Sequence, residues 1–239
     1  MMAIEKRLLF HYNKILYWSG KDTTGSYDSL NKENEKFKKT LLHYTSTVLA
    51  TLTYPFDSLT APNHGIFVTD NINITTSADK NLRIYSWDTW EGGTMHDFDN
   101  IVQYKVGNKV YSKVLFRAAE EGDPGCFYST VYTSALDNKV YYLALFIAVL
   151  DSKDISHGIR LFTIENNQLN DTVKLIQTSS GLKNAIGFEL TYSSMVLNPK
   201  ILYDAENKII KVPAVLEDGT VSDKFIQYKF TGKYFEEVK

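Results

Sequence analysis

One segment of the chain, residues 84–99, holds the side chains best suited to chemistry or to binding. It contains two of the three tryptophans, a pair of adjacent glycines, one histidine and four carboxylates. Aromatic rings can stack on a sugar or on a partner's side chain, carboxylates can transfer protons, and glycines let a ligand approach the backbone closely. This segment is the first candidate site, and its candidate residues are Trp87, Asp88, Trp90, Glu91, His96, Asp97 and Asp99.

The two tryptophans fit either of two roles. Alternation along a strand favours a core position for Trp87, whereas Trp90 lies nearer the loop and suits a stacking platform or the core equally well. A structural alternative applies to the whole segment. In it, Trp87, Trp90 and Phe98 plug one end of a sheet, and Asp88 and Asp99 bond to loop amides.

An imidazole beside carboxylates, as at His96, Asp97 and Asp99, has the ligand types of a divalent-metal site. The spacing of these residues matches no metal-ligand signature, and aspartate-rich loops commonly form turns without a metal. The chain also contains no Gly-x-Gly-x-x-Gly pattern and no P-loop, which argues against a nucleotide cofactor. The sequence therefore predicts neither a metal nor a cofactor.

A second acidic loop covers residues 120–126 and could face the first loop. It adds three carboxylates to the candidate residues: Glu120, Glu121 and Asp123. A glycosidase uses two such carboxylates, one as acid and one as nucleophile or base, and here Asp88 or Glu91 would oppose the second loop. Most acidic loops are only solvated, and no serine-nucleophile motif accompanies the scattered histidines. No catalytic residue is predicted.

The overall charge balance limits the classes of partner. A formal net charge of −2 and a pI of about 6.2 leave little for a basic face, which argues against nucleic-acid binding. The single cysteine, Cys126, excludes an internal disulfide and a cysteine-based zinc site.

The sequence predicts no transmembrane segment. The longest apolar run, Val140–Leu150, is too short to span a bilayer, and residues 1–7 show no export signal. We therefore expect a cytoplasmic chain as written, or a periplasmic or cell-envelope protein if an export signal has been removed.

A repeated strand pattern from residue 65 onward must position the candidate loops. Three strands begin directly after polar turns, at Leu82, Val140 and Ile209. A later strand of each repeat carries an aromatic residue near its end: Tyr104, Phe162 and Tyr228. Each of these strands then runs into a tight turn of the Gly-Asn, Asn-Asn or Thr-Gly type, as in β-hairpins.

This pattern predicts a mainly β fold built from antiparallel four-stranded meanders. We expect a single β domain over residues 65–239, with the repeats stacked like open propeller blades or as a sandwich. The three meander units lie near residues 72–116, 127–177 and 200–238.

Residues 1–64 are predicted to form a helical appendage packed on the β domain. A first helix is favoured over residues 3–18, and a second from residue 26 to about residue 44. The apolar residues of the second helix fall on one stripe: Leu30, Phe37, Leu41 and Tyr44. Its opposite face is predicted to be solvated: Lys32, Glu33, Glu35, Lys36, Lys38 and Lys39.

Three segments resemble a signature of β-rich bacterial proteins from Bacteroidota-type genomes. They are residues 84–96, with the sequence IYSWDTWEGGTMH, residues 122–128, and residues 230–235. The likeness covers roughly the last two-thirds of the chain. That family has no established activity, so the resemblance implies no catalytic residue. It implies a bacterial origin and points to the cell envelope.

These observations favour a non-catalytic binding protein over an enzyme. The aromatic and acidic loop would be presented to a protein partner, as in an envelope accessory protein or an immunity-type inhibitor of a bacterial toxin. Tyrosine and tryptophan, which are enriched at binding hot spots, support this interpretation. The alternative is a glycan-binding or glycan-hydrolysing enzyme with paired carboxylates. In either case the main functional surface is expected at residues 86–99, with residues 120–126 beside them.

Overall fold

A computed structural model describes residues 3–56, 59, 72–115, 124–191, 200–216 and 220–238. Over these residues the chain is mainly β, with antiparallel sheets and two N-terminal helices, as predicted. The described strands close neither a barrel nor a propeller. None of the described helices is long and apolar enough to cross a membrane.

The chain forms two compact units. The first contains residues 1–76 and 80–128, and the second contains residues 77–79 and 129–239. The helices therefore group with the first meander, and the predicted boundary between residues 64 and 65 does not coincide with these units. The reason is a shared core, because the apolar stripes of both helices pack with side chains of the first sheet.

The two predicted helices are present. They are α1 (Ala3–Ser19) and α2 (Ser26–His43), and a π-helical turn (Tyr44–Val48) follows α2 directly. The stripe of α2 is buried at Leu30, Phe37 and Leu41, as its spacing predicts.

The prediction of a fully solvated opposite face on α2 is wrong at Glu33. This residue is only 5% exposed because α1 packs against α2. Its carboxylate accepts hydrogen bonds from His11 Nδ1 at 2.9 Å and from Lys36 Nζ at 2.6 Å. Burial raises the pKa of Glu33, but the bonds from Lys36 and His11 outweigh burial and hold it below its usual value.

The first unit contains one four-stranded antiparallel sheet. Its strands are β1 (Asn73–Thr76), β2 (Leu82–Asp88), β3 (Phe98–Val106) and β4 (Lys109–Leu115). They pair in chain order, as in the predicted first meander. Every residue of β2 is buried, and Tyr85, Trp87 and Ile101 contribute to the core that the helices complete.

Seven strands follow along the chain. They are β5 (Phe127–Leu136), β6 (Lys139–Val149), β7 (Asp154–Glu165), β8 (Gln168–Asn170), β9 (Ile176–Thr178), β10 (Gly181–Lys183) and β11 (Ala185–Thr191). Strands β5, β6 and β7 are successive neighbours in one sheet. The C-terminal end of β7 pairs with β8, and its N-terminal part pairs with β11.

The last meander consists of β12 (Leu202–Asp204), β13 (Ile209–Val215), β14 (Val221–Phe230) and β15 (Phe235–Glu237). These strands are antiparallel in chain order, as predicted. The β9–β10 hairpin extends their sheet through a parallel pairing of β9 with β15. The predicted second unit, residues 127–177, therefore ends too late, because residues 176–177 pair in the last sheet.

The three aromatic residues that defined the repeat occupy related positions. Tyr104, Phe162 and Tyr228 all lie near the end of the third strand of their meander. The turns behind them use left-handed backbone conformations. Asn166 and Asn167 both have positive φ, at 50° and 62°, which is the signature of a type I′ hairpin turn.

Candidate functional site

The candidate loop, residues 89–97, connects the end of β2 to the start of β3. Its ends are tied together, because the Thr89 N–H donates to the Asp97 carbonyl at 2.8 Å. Trp90 and Gly93 have φ values of 60° and 68°. At Gly92, a Cβ atom would lie 2.0 Å from the carbonyl oxygen of Met95, so only glycine fits there. The close contact at Gly92 is therefore made by the loop itself.

Trp87 lies in the core. Its side chain has no exposed surface, and its ring meets Phe37 of α2 edge to face, with 5.2 Å between the centroids. Phe98, at the other end of the loop, is 1% exposed. The core position that strand alternation favoured for Trp87 is confirmed.

Asp88 is a fully buried carboxylate beneath the loop. Its Oδ1 accepts a hydrogen bond from the Trp90 N–H at 2.7 Å, and its Oδ2 is 2.5 Å from His96 Nδ1. The hydrogen bond to Asp88 raises the pKa of His96 above its usual value. Partial burial of the imidazole lowers this pKa, and the negative charges of Asp88 and Asp97 raise it further. The hydrogen bond between Asp88 and His96 thus links the end of β2 to the last part of the loop.

The burial of Trp87 and Asp88 corrects their predicted role. Both were candidate contact residues, although a core position was favoured for Trp87, and neither has surface that a partner can touch in this conformation. They support the loop instead. The partly exposed residues of the predicted site are Trp90, Glu91, His96, Asp97 and Asp99.

Helix α2 holds the loop from the side through a residue that the sequence analysis missed. Asn34, which is 2% exposed, donates from Nδ2 to the Thr89 carbonyl at 2.7 Å and to Glu91 Oε1 at 3.0 Å. The signal was present in the sequence. Asn34 stands four residues after Leu30 and three before Phe37, so it is a polar residue on the buried stripe.

Asp99 is bound to the same helix. Lys38 Nζ lies 3.0 Å from Asp99 Oδ2 and 2.6 Å from Glu35 Oε1. A groove of about 580 Å³ opens beside this ion-pair network, lined by Glu35, Lys38, Lys39, Leu42, Asp99, Val114 and Leu115. The structural alternative, in which Asp99 bonds to loop amides, did not include Lys38, which had been assigned to the solvated face.

Three buried polar atoms around the loop have no hydrogen-bond partner within the described part of the chain. They are Asn34 Oδ1, Trp87 Nε1 and Trp90 Nε1. An unpaired buried polar group costs about 1–3 kcal/mol, so such atoms are rare in native proteins. Other buried atoms without a hydrogen-bond partner among the described residues, Ser112 Oγ and Thr133 Oγ1 for example, lie in strands away from the loop.

The carboxylates of the second acidic loop, Glu120, Glu121 and Asp123, lie outside the described residues. The chain immediately after them runs beside β3. The Phe98 N–H donates to the Pro124 carbonyl at 2.8 Å, and Asn100 Nδ2 donates to the Cys126 carbonyl at 2.8 Å. The end of the second loop is thus adjacent to the end of the first. In the described ranges, no three metal-ligating side chains come together.

Replacing Asp88 with asparagine is expected to lower the pKa of His96. Asparagine keeps the shape of the side chain but removes the negative charge that favours the imidazolium. The measurement is an NMR titration of the imidazole protons of both proteins. His157, which lies in the second unit, is the internal reference and should titrate alike in both. An unchanged pKa of His96 would contradict the pairing with Asp88.

The same pair gives the loop a defined pH dependence. Because the pKa of His96 is raised in the folded protein, its contribution to stability is complete below the unfolded value of about 6.5. That contribution is lost as the pH rises through the folded pKa. Asp88→Asn should weaken this pH dependence of stability, because it removes the charge that raises the pKa of His96.

The chain was also compared with known proteins. No protein-family model matches it, and no curated protein matches it either. The resemblance of residues 84–96 to a bacterial signature therefore stays a prediction, and the case for function depends on the geometry of the loop.

Proposed function

We propose that this chain is a non-catalytic binding protein that presents the loop of residues 89–97 to a protein partner. The observation that carries the proposal is the preorganisation of the loop. Asp88 bonds to the Trp90 N–H and to the His96 imidazole, and Asn34 of α2 bonds to the Thr89 carbonyl. A loop already held in one conformation loses little conformational entropy on binding, so more of the contact energy contributes to affinity.

The exposed side of the loop has the composition of a recognition surface. Trp90 packs against the core but remains partly exposed, and Glu91 and Asp97 are partly exposed in the same loop. Tryptophan is enriched at hot spots, and charges at the rim of an interface accelerate association with an oppositely charged partner. We therefore expect a partner with a basic rim around an apolar or aromatic pocket. An immunity-type inhibitor or an envelope accessory protein would use such a surface.

The burial of Asp88 weighs against the rival proposal of glycan hydrolysis. A sugar cannot reach a carboxylate with no exposed surface, so of the two acids proposed to oppose the second loop, Asp88 and Glu91, only Glu91 remains. Glu91 Oε1 already accepts a hydrogen bond from Asn34 Nδ2, so this carboxylate takes part in holding the loop.

The test is a binding experiment with the double variant Trp90→Ala/Glu91→Ala. Once a stoichiometric partner has been captured from native lysate and purified, the variant should bind it at least ~30-fold more weakly, the loss expected for a hot spot of about 2 kcal/mol. The matched control is Tyr234→Ala/Glu236→Ala, which removes a half-buried aromatic ring and an exposed carboxylate from the last meander. It should bind as the wild type does.

Two outcomes would overturn the proposal. If the double variant loses several degrees of thermal stability while its folded fraction binds normally, the loop is a structural plug. If the protein hydrolyses a glycan and Glu91→Gln abolishes the turnover, the chain is an enzyme and the rival proposal is correct.

A further inference from the structure

The helical hairpin carries an exposed ridge that the loop proposal does not use. The three most exposed aromatic side chains of the described residues are Phe10, Tyr17 and Tyr27, at 55%, 56% and 59%. The first two lie on α1, and the third lies one residue after α2 begins. Aromatic rings left in water on a helix surface point to a contact that the isolated chain does not make.

The ridge on α1 alternates basic and aromatic residues. Its members are Arg7, Phe10, Lys14, Tyr17 and Lys21. Their spacings of three and four residues place them on one line along the helix and its first following turn, over roughly 20 Å. The opposite face of α1 is buried in the core through Leu8, Tyr12 and Ile15. The ridge therefore lies on the side of α1 that faces away from the core of the first unit.

Each aromatic ring of the ridge is paired with the lysine four residues later. Lys14 Nζ lies 4.6 Å from the centroid of Phe10, and Lys21 Nζ lies 4.8 Å from the centroid of Tyr17. An ammonium group over one face of a ring leaves that face closed to a stacking base. The ring edges and the lysine stems remain available to an apolar or interfacial environment.

The charge of this surface is one-sided. The exposed charged residues of α1 are Lys6 and Arg7, and Lys21 extends the positive line beyond the helix. Lys14 is partly buried between them, and its Nζ lies 3.9 Å from the Glu33 carboxylate. The single carboxylate of α1, Glu5, is buried. The first exposed carboxylate after it along the chain is that of Asp22, between α1 and α2. A local cluster of cations in a chain of net charge −2 is complementary to an anionic surface.

We infer that this ridge, residues 7–21, docks the protein on the surface of a membrane rich in anionic phospholipid. Lysine and arginine side chains gain attraction from the negative leaflet, and phenylalanine and tyrosine rings favour the headgroup region. A straight ridge of side chains along a helix can lie flat on a planar surface. Single-stranded nucleic acid is instead bound in grooves with open aromatic faces. The inference does not depend on the proposed function of the loop.

The test uses the full chain and lipid vesicles. The protein should co-float with vesicles of phosphatidylcholine containing about 30% phosphatidylserine, and bind pure phosphatidylcholine at least ~10-fold more weakly. Raising the salt concentration should weaken the binding, because screening shortens the reach of the basic ridge. Trp18, which adjoins Tyr17 and is half-buried, should be quenched by brominated anionic lipid.

Variants separate the ridge from a general charge effect. Arg7→Glu/Lys21→Glu and Phe10→Ala/Tyr17→Ala should each reduce binding at least ~10-fold. The matched control, Lys174→Glu/Lys224→Glu, makes the same charge change at two exposed lysines of the second unit and should bind as the wild type does. All replaced side chains are on the surface, and circular dichroism verifies that each variant is folded.

Three results would overturn the inference. The first is absence of binding to anionic vesicles. The second is an equal loss in the control variant, which would show a non-specific charge effect. The third is that a single-stranded oligonucleotide binds through Phe10 and Tyr17 at concentrations where vesicles do not, which would assign the ridge to nucleic acid.

Discussion

Trp87→Ala is expected to lower the free energy of unfolding by about 3–5 kcal/mol, the range measured for the truncation of large aromatic residues in cores. The side chain has no exposed surface and packs edge to face against Phe37, so its removal leaves a cavity between sheet and helices. A loss of this size is a large fraction of the stability of an ordinary domain. Urea denaturation followed by far-ultraviolet circular dichroism measures it without relying on tryptophan emission.

Trp90→Ala is the matched control for this prediction. It removes the same side chain three residues later, where the ring is partly exposed and one hydrogen-bond donor is unpaired. We expect a loss of about 1–2 kcal/mol, in the range typical of partly buried positions. If Trp87→Ala and Trp90→Ala are equally destabilising, the loop belongs to the core and Trp90 is not a recognition residue.

The regular elements of this fold were predictable because their signals are local. The stripe of α2 is periodic, and the Asn166–Asn167 turn needs two residues that tolerate positive φ, which asparagine does. Such features depend on residues a few positions apart. They remain visible without knowledge of the tertiary structure.

The pairings that escaped prediction are non-local. Strand β9 has three residues, too few for a pattern, and it is fixed by β15 about sixty residues later in the chain. Similarly, β11 lies against β7 because two glycines meet there. A Cβ at Gly187 would come within 2.5 Å of the His157 carbonyl, and the Phe146 ring covers Gly158. Only the assembled sheet shows why glycine is needed at both positions.

The candidate site was half predictable for a similar reason. Its composition identified the loop, but composition cannot say which carboxylate is buried. Asp88 ends a strand whose residues are all buried, and its partner His96 is reached only after the loop has closed. The contact from Asn34 joins positions 55 residues apart in the chain, so it follows from the docking of α2 on the sheet.

Acid conditions are expected to weaken the second unit through His157. This residue of β7 is 9% exposed, and its ring stacks on Phe188 of β11 with 5.7 Å between the centroids. Burial lowers the pKa of His157 to about 4, and the positive charge of Lys200 contributes in the same direction. The folded protein therefore keeps this imidazole neutral at a pH where the unfolded chain protonates it.

The direction of the pH effect follows from linkage. A depressed folded pKa gives stability that is present above the unfolded value of about 6.5 and is lost as the pH falls through about 4. The difference between the unfolded and folded pKa values of His157 corresponds to about 3 kcal/mol in the free energy of unfolding. His157→Phe keeps an aromatic ring for the stack and removes the titration. Its stability relative to the wild type should rise by about 3 kcal/mol between pH 7 and pH 4.

Denaturant titrations of the wild type and of His157→Phe at several pH values measure the difference in their free energies of unfolding. The acid response of all other groups is common to both proteins and cancels in this difference. His96→Gln is the opposing control, because the stability that His96 contributes is greatest at low pH and is lost as the pH rises. Removing His96 should therefore steepen the acid destabilisation, whereas removing His157 should flatten it. A difference between wild type and His157→Phe that stays constant from pH 7 to pH 4 would show that His157 is protonated without cost in the folded sheet.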